Sequence, residues 1–426
     1  MALGPMLIFD KSTLQSLSQD ESVWLENFFL TNVTPLFYIE TLADIEKKMR
    51  SGQKPEDVVG DIARKTPDMS SYPNVHHTLL LSGELQGLEK VDMRYGQVII
   101  AGGQSVSLGD KTGVIFKQAP ETEAFQRWQR GQFLDLEHLA AEKWREALSN
   151  INHEENYQFF KRLYDGREKP KTLAEVKSFV DQTVDNEDRE NTLQFGLNVI
   201  GVPMRSQDKV LERYRTEGNP PLRTFAPYFC HVFSVDLFFY MSMAADLISR
   251  IRPSNKIDLA YLYYLPFCMV FVSNDKLHEK VVPLFLRENQ TFLRGTELKT
   301  DLARLNQHYL QLPDEVKIQG VMRFAPYPPT EGEWLVAKLW DKYLPVWREY
   351  EAERPPGPIE PPSKIPDELL EEMKRFKEGA KPVDPATRVS SDDAHHVVFE
   401  RKASMYKGSW RRFPPEIENS KTRNFD

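Results

Sequence analysis

The sequence of 426 residues lacks several features that mark well-known classes of protein. It contains two cysteines, Cys230 and Cys268, which are too few for a disulfide framework. No run of apolar residues approaches the roughly 18 that a membrane-spanning helix needs. No basic region followed by an apolar run and a cleavage site is visible near the first residue. We therefore expect a cytoplasmic protein with reduced cysteines and no membrane partner.

An excess of positive charge is also missing. The chain has 55 Lys and Arg against 63 Asp and Glu, for a net charge of -8. A protein that simply coats nucleic acid carries a basic excess, so the composition argues against that role. It does not exclude an enzyme that cuts nucleic acid, because a metal site made of carboxylates is acidic until its cations bind.

Familiar motifs for zinc or nucleotides are absent as well. His76–His77 and His395–His396 are adjacent pairs, whereas two histidines on one helix face need a wider spacing. The glycines at 102–103 and 109–113 lack the spacing of a phosphate-binding loop and indicate hairpin turns. The chemistry therefore has to be sought among the acidic residues.

What the sequence does contain is an alternation of short apolar runs and helical spacing. Residues Met6–Asp10 predict a buried strand that ends in an acid, and residues 12–29 predict a helix. Leu36–Ile39 predicts a second strand, followed by a helix over Thr41–Met49. Much later, Cys268–Ser273 is a continuous apolar run typical of a central parallel strand. The pattern predicts an α/β fold with a central parallel sheet flanked by helices.

The two parts of this pattern are separated by a long stretch of different character. We predict that residues 1–50 and 226–320 form one α/β core. Residues 51–225 read as an insertion or second domain with some β structure and mostly helices. Residues 321–426 read as a proline-rich extension and tail, in which Pro355–Pro366 is expected to run extended over a surface.

Four aspartates occur where such a sheet presents groups to a ligand. Asp10 ends the first strand, Asp44 lies in the helix after the second, Asp258 opens a later helix and Asp275 follows a later strand. Ligands of open parallel sheets bind beyond the carboxyl ends of the strands, so these carboxylates are expected to converge there. Clustered hard oxygen ligands suit Mg²⁺ or Mn²⁺. Each aspartate alone is also compatible with a turn, a helix cap or a charge at a helix N-terminus.

The order of these segments resembles the PIN-domain nucleases. The resemblance rests on IFDKST, FYIETLADIEK and KIDLAYLYYLPFCMVFVSNDKL. It implies a PIN-like core whose acids bind Mg²⁺ or Mn²⁺ and whose substrate is single-stranded RNA. It also implies roles for particular residues: metal binding and catalysis for Asp10, Asp44, Asp258 and Asp275, and support of the site by the hydroxyls of Ser12 and Ser273.

The sequence departs from the family in two respects. The second acid of the family is usually a glutamate, so Glu40 and Glu46 are rivals of Asp44. A PIN domain is usually compact, whereas this chain carries the long segment 51–225 between its second and third acids. A non-catalytic PIN-like scaffold, with the insertion or the tail binding a protein partner, is therefore the alternative to a nuclease. A metal-dependent phosphohydrolase ranks last, because the first strand is not followed by a DxD motif.

Some further residues are ambiguous in the sequence. His278 follows Asp275 closely enough to approach the acids, but its position favours the surface of a helix. Basic and aromatic residues mix at Arg205–Arg215 and at Trp410–Phe413, a composition that suits single-stranded nucleic acid. For each of these mixtures an ordinary solvated surface is the more frequent explanation.

Overall fold

The structure is a computed structural model. It describes residues 4–415 apart from residues 50, 51, 53, 102, 110, 117–119, 133, 135, 136, 138–153, 166, 167, 253, 355–370, 372, 373, 377, 384–395 and 400–402. The side chains of residues 43–49 are also outside the description. The prediction for Pro355–Pro366 therefore falls outside the described residues.

The described strands and helices alternate along the chain. The strands are β1 Met6–Phe9, β2 Leu30–Val33, β3 Ser71–Pro73, β4 Gly103–Leu108, β5 Lys111–Phe116, β6 Val270–Ser273, β7 Thr291–Arg294, β8 Lys381–Pro382, β9 His396–Phe399, β10 Tyr406–Lys407 and β11 Trp410–Arg411.

The α-helices are α1 Lys11–Ser16, α2 Gln19–Phe28, α3 Pro35–Met49, α4 Pro55–Lys65, α5 His77–Leu85, α6 Pro120–Gln129, α7 Glu154–Arg162, α8 Leu173–Val184, α9 Arg189–Val199, α10 Met204–Thr216, α11 Leu222–Phe225, α12 Pro227–Ala244, α13 Ser254–Ala260, α14 Lys276–Val281, α15 Gly295–Leu310, α16 Asp314–Lys317, α17 Val321–Phe324, α18 Leu335–Tyr343 and α19 Trp347–Ala352. Two 3₁₀ helices span Tyr261–Phe267 and Val282–Leu284.

The central sheet has five parallel strands in the order β3-β2-β1-β6-β7. From β1 the chain first builds the sheet to one side and then returns to build the other side. The strand order therefore reverses between β1 and β6, the point where such sheets bind ligands. The predicted α/β class with a central parallel sheet is confirmed. Strand β3, Ser71–Pro73, lies inside the range that the sequence analysis assigns to the insertion.

Both faces of this sheet are covered. Ile8 and Phe271 belong to a core shared with α12 and with several helices of the segment 154–225. Leu7 and Phe9 belong to a second core, shared with α2 and α15. Strands buried on both faces read as continuous apolar runs, which explains why β1 and β6 were visible in the sequence. A second sheet, in the order β8-β4-β5-β9, contains the predicted hairpin of β4 and β5.

The predicted second strand was placed wrongly. Leu36–Ile39 is part of helix α3, and the strand lies earlier, at Leu30–Val33. A four-residue apolar run has no readable period, whereas Pro35 fits the first position of a helix, where its missing N–H costs nothing. The true strand was hidden because Thr31 and Asn32 make it look polar, although both side chains are fully buried.

The helix predicted over residues 12–29 is divided in two. Helix α1 ends at Ser16, and Ser18 begins α2 with a capping box in which its hydroxyl accepts from the Glu21 N–H and the Glu21 carboxylate accepts from the Ser18 N–H. Such a box satisfies two otherwise unpaired donors at the start of a helix. The first of the two helices begins at Lys11, with Asp10 as its N-terminal cap.

The end of the chain is tied to the core by buried charges. Lys407 Nζ lies 2.9 Å from Glu26 Oε2, and the Arg412 guanidinium contacts the carboxylates of Glu26 and Asp68. Trp410, which lies between Lys407 and Arg412 in the sequence, is buried and donates from its indole N–H to Asn306 Oδ1 at 2.8 Å. We call Glu26, Asp68, Lys407 and Arg412 the tail cluster. It holds two acids and two bases.

Candidate active site

The carboxyl edge of the sheet brings Asp10 and Ser273 side by side. Phe9 pairs with Val272 in the β1–β6 ladder, and the Asp10 N–H donates to the Val272 carbonyl at 3.2 Å. The next residue on each strand is therefore opposite the other, and the Ser273 hydroxyl donates to Asp10 Oδ2 at 2.7 Å. Two residues that are 263 positions apart in sequence thus meet at the point where the strand order reverses.

Asp10 is buried, and its carboxylate is held by short-range donors. It caps helix α1 by accepting from the Thr13 N–H at 2.9 Å, and the Thr13 hydroxyl donates to the same oxygen at 2.8 Å. The Ser12 hydroxyl lies within 2.8 Å of both carboxylate oxygens. Burial works to raise the pKa of Asp10, but the neighbouring charge of His278 and the hydroxyls of Ser12 and Ser273 outweigh it and lower this pKa.

His278 is fully buried against these groups, contrary to the surface position favoured by the sequence. Its Nε2 lies 2.6 Å from the Asp258 carbonyl, which only accepts, so Nε2 carries a hydrogen. Its Nδ1 lies 2.7 Å from the Ser273 hydroxyl, whose one hydrogen goes to Asp10. Nδ1 must therefore also donate, which makes the ring an imidazolium.

The electrostatics agree with this hydrogen-bond assignment. Burial by itself lowers the pKa of His278, but Asp10, whose Oδ2 lies 3.7 Å from Nδ1, raises it to about 9. The sequence signal for burial was present but weak: His278 shares a helix face with Val281 and Val282, which are both buried.

Asp258 and Glu40 add two more acids to the site. Burial, followed by the charges of Glu40, Asp275 and Asp10, raises the pKa of Asp258 to about 7, although His278 opposes this. Burial also raises the pKa of Glu40, against the attraction of Lys11. Glu40 Oε2 accepts a hydrogen bond from the Tyr261 hydroxyl at 2.5 Å.

Asp275 completes the group at the end of β6. Its carboxylate caps α14 by accepting from the Leu277 N–H at 2.6 Å, and its own N–H donates to the Ser273 hydroxyl at 2.9 Å. Asn274, the residue between Ser273 and Asp275, accepts from the Thr296 N–H in the first turn of α15. A Cβ at Gly295 would lie 2.6 Å from the Asn274 amide nitrogen, so this close approach requires glycine.

The structure therefore brings together most of the residues that the sequence singled out. Asp10, Ser12, Asp258, Ser273 and Asp275 all belong to one group at the carboxyl edge. Asp258 lies inside α13 rather than at its first residue. The backbone of Asp44 lies in α3, but its side chain is outside the description.

Glu40, the rival of Asp44, lies one strand further along the same edge and interacts electrostatically with Asp10 and Asp258. We call Asp10, Glu40, Asp258 and Asp275, with Lys11 and His278, the acidic cluster. It holds four acids and two bases.

The chemistry of these residues fits a hard divalent cation. Burial, with a further contribution from the neighbouring acids, raises the pKa of Asp258, and a bound cation would offset both effects. Carboxylates of this kind are the ligands that Mg²⁺ and Mn²⁺ prefer. Within the described part of the chain, however, no group of three or more His, Cys, Asp or Glu side chains is arranged to hold a metal ion. Asp10, Glu40 and Asp275 each accept hydrogen bonds from other groups of the protein.

The basic and aromatic mixtures have structural roles. In the first, Tyr214 is buried and donates to the Pro220 carbonyl, and Arg213 binds the carbonyls of Glu84 and Leu85. In the second, Trp410 and Arg412 belong to the packed tail. Because Tyr214 and Trp410 are buried, neither of these rings is available to stack on a base.

Other candidates are also accounted for. Cys230 and Cys268 are free thiols in the core, as expected, and burial raises the pKa of each to about 12. His77 stacks against Tyr263, and burial lowers its pKa to about 3.

Among the described residues, no helix is long and apolar enough to cross a membrane.

Comparisons with known proteins give this site no precedent. The chain matches no protein-family model, no curated protein and no solved structure.

Proposed function

We propose that this chain is a metal-dependent nuclease with a PIN-like core, which hydrolyses phosphodiester bonds in single-stranded RNA. The observation that carries the proposal is the acidic cluster at the reversal point of the strand order, where the negative charges of Glu40, Asp275 and Asp10 help to raise the pKa of Asp258 to about 7. Like charges are rarely gathered in a partly buried site unless they have a function.

The residues of the cluster divide the work between them. Asp10, Glu40, Asp258 and Asp275 would hold Mg²⁺ or Mn²⁺, with Asp44 as the alternative to Glu40. A bound divalent ion supplies activation of water and neutralises charge that develops on the phosphate. The hydroxyls of Ser12 and Ser273 fix the orientation of the Asp10 carboxylate.

Two members of the cluster link its charge to its structure. Without a cation the pKa of Asp258 is about 7, and a divalent ion held by this carboxylate would lower that pKa and keep it ionised. His278 keeps a positive charge against Asp10 and donates to the Asp258 carbonyl, so it joins β6 to α13 across the site.

The test measures Mn²⁺ binding by titration calorimetry together with cleavage of a labelled single-stranded RNA. Asp10→Asn should abolish both, and its far-UV circular dichroism at the assay temperature should match that of the wild type, although loss of the charge beside His278 should lower the thermal midpoint. Asp208→Asn, a change of an exposed acid on α10, is the matched control and should alter neither. Wild-type cleavage by Asp10→Asn would rule the proposal out.

A second pair of variants decides which acid of α3 takes part. If Glu40 is a ligand, Glu40→Gln should lose Mn²⁺ binding while Asp44→Asn keeps it. The opposite result would assign the role to Asp44. Equal retention of binding by both variants would remove α3 from the metal site.

A PIN-like scaffold without catalysis is the second candidate. It is favoured by the hydrogen bonds that occupy Asp10 and Asp275, which a bound cation would have to displace. If the protein is such a scaffold, we expect the wild type to bind no Mn²⁺, to cut no RNA and to be recovered with a stable protein partner.

A further inference from the structure

The polar row at the carboxyl edge continues beyond the acidic cluster. Ile8 pairs with Asn32 in the β1–β2 ladder, so Thr34 is opposite Asp10 two residues later. The Asn74 N–H donates to the Val33 carbonyl at 2.9 Å, which places Asn74 opposite Thr34. Side chains of paired residues in a sheet share a face. We call Asn74, Thr34, Asp10 and Ser273 the polar row.

The two halves of this row differ in one decisive respect. Asp10 and Ser273 are fully hydrogen-bonded, whereas Thr34 Oγ1 and both polar atoms of the Asn74 amide have no partner within the described part of the chain. Thr34 is 0% exposed and Asn74 is 2% exposed. Asn32, two residues before Thr34 on the same face, also has an unpaired and buried Oδ1. Buried polar groups of folded proteins are nearly always paired, so these atoms require a partner.

The unpaired atoms define the chemistry of that partner. The Asn74 amide offers a donor and an acceptor side by side, and the Thr34 hydroxyl can donate or accept a hydrogen bond. A cation would leave the amide N–H unpaired and an anion would leave the amide oxygen unpaired, so the partner is neutral and has adjacent donors and acceptors. The edge of a nucleobase has this arrangement, and an asparagine amide pairs with adenine through two hydrogen bonds.

The distance from the acidic cluster fits the same partner. Asn74 lies two strands away from Asp10, which is about 10 Å in a β-sheet. A ligand that reaches from one to the other needs a charged end and a neutral hydrogen-bonding end, as a nucleotide has in its phosphate and its base.

We propose that Asn74 and Thr34, with Asn32, form a base-binding subsite that receives an unpaired nucleobase of the substrate, adenine in preference to uracil, beside the acidic cluster. The inference rests on the proposed function for the identity of the ligand. An unstacked base of single-stranded RNA can enter such a site, whereas a base paired within a duplex cannot.

The segment around residues 97–100 pairs with Asn74 at the edge of the sheet, and we expect it to move when a base enters. It is held to the end of β3 by the Val75 N–H on the Ile99 carbonyl at 3.1 Å and by the Ala101 N–H on the Pro73 carbonyl at 2.9 Å. This segment contains Gln97, whose side-chain oxygen is also buried with no partner in the described structure. Residues 97–100 are partly exposed, so the segment lies at the surface.

The test measures binding of adenosine, cytidine, guanosine and uridine to the full chain in EDTA by saturation-transfer NMR and calorimetry. Nucleosides carry no phosphate, so binding does not depend on a metal. Thr34→Val should weaken adenosine binding at least tenfold, and Asn74→Leu should abolish it. Thr31→Val is the matched control: Thr31 is on the same strand and equally buried, but its hydroxyl already donates to the Ser70 carbonyl. Its adenosine affinity should stay within twofold of the wild type.

Thermal midpoints measured without nucleoside show whether these variants fold. They also distinguish a site for a ligand from a site filled by trapped water. Thr34→Val should leave the midpoint unchanged or raise it, because it removes an unpaired buried hydroxyl, whereas Thr31→Val should lower it. Failure of all four nucleosides to bind the wild type overturns the proposal. A lowered midpoint for Thr34→Val in that case would assign the row to ordered water.

The outcome is independent of the nuclease proposal. Asp10→Asn should bind adenosine as the wild type does, even though it is expected to lose cleavage. Adenosine binding by a wild type that cuts no RNA would support the subsite and count against the nuclease.

Discussion

Two groups of buried charges lie on this α/β core, and they differ in balance. The tail cluster pairs Glu26 and Asp68 with Lys407 and Arg412, two acids with two bases. The acidic cluster has four acids with two bases. In the tail cluster burial works to raise the pKa of Glu26, but Lys407 and Arg412 overcome it and lower this pKa to about 2, whereas burial and the charge of Glu26 raise the pKa of Asp68 to about 6. In the acidic cluster burial and neighbouring acids raise the pKa of Asp258 to about 7.

The contrast separates a structural group of charges from a candidate functional one. A buried cluster with as many bases as acids can join distant parts of a chain, here α2 and the hairpin of β10 and β11. An unbalanced cluster stores repulsion that a cation from solution would relieve. Neutralising Asp258 and neutralising Glu26 should therefore have opposite effects on stability.

The largest expected effect is on the tail cluster. Arg412→Met leaves Glu26 and Asp68 buried with one cation between them, and should destabilise the protein by about 3–5 kcal/mol in urea unfolding. The control is Arg411→Met on the same hairpin. Arg411 is partly exposed and bonds within the tail itself, so this change should cost less than about 1 kcal/mol. Equal losses for the two variants would show that the balanced charges are not what holds the tail.

Addition of Mn²⁺ should affect only the acidic cluster. An ion that binds the folded state stabilises it by about 2.7 kcal/mol at 100 times its dissociation constant. We expect this rise in the wild type and in Arg412→Met, but not in Asp10→Asn, when unfolding is followed with Mn²⁺ and with EDTA. A rise in Asp10→Asn as large as in the wild type would place the ion elsewhere.

Asp258→Asn should stabilise the protein in EDTA by about 1–2 kcal/mol at pH 8, because it removes a buried negative charge and its repulsion from Glu40, Asp275 and Asp10. Glu26→Gln, the corresponding change in the tail cluster, should instead destabilise it, since Lys407 and Arg412 lose a buried partner. Urea midpoints of the two variants measure both signs. Destabilisation by both changes would mean that the acidic cluster is as well balanced as the tail cluster.

The smallest expected effect is the pH dependence of the stabilisation by Asp258→Asn. The folded-state pKa of Asp258 is raised, so its stabilising contribution is present below the unfolded value of 3.8 and is lost as pH rises through about 7. The stability advantage of Asp258→Asn over the wild type should therefore shrink as pH falls from 7 towards 4, by about 0.5 kcal/mol per pH unit after allowance for partial exposure. An advantage that stays constant from pH 8 to pH 4 would contradict the assigned shift.

Much of the core could be predicted from the sequence, for a physical reason. Strands β1 and β6 are buried on both faces, so they appear as continuous apolar runs, and the polar residues at their ends were visible as Asp10, Ser273 and Asp275. Strand β2 was not predicted because it buries two polar residues, Thr31 and Asn32. Their side chains bond to the Ser70 carbonyl and the Met6 sulfur, which are distant in sequence, so no local pattern reveals them. The placement of β3 within the predicted insertion was hidden for a similar reason, since three residues have no period.

The sequence by itself determined which carboxylates end or follow the strands, because that depends on local runs of apolar residues. Only the tertiary structure decided which groups meet. It selected Glu40 as an acid that interacts with Asp10 and Asp258, and it buried His278 as an imidazolium between β6 and α13. It also aligned Thr34 and Asn74, unpaired, beside Asp10. These relations arise from strand register and from helices packed across the sheet, and neither is encoded in the residues next to the ones they bring together.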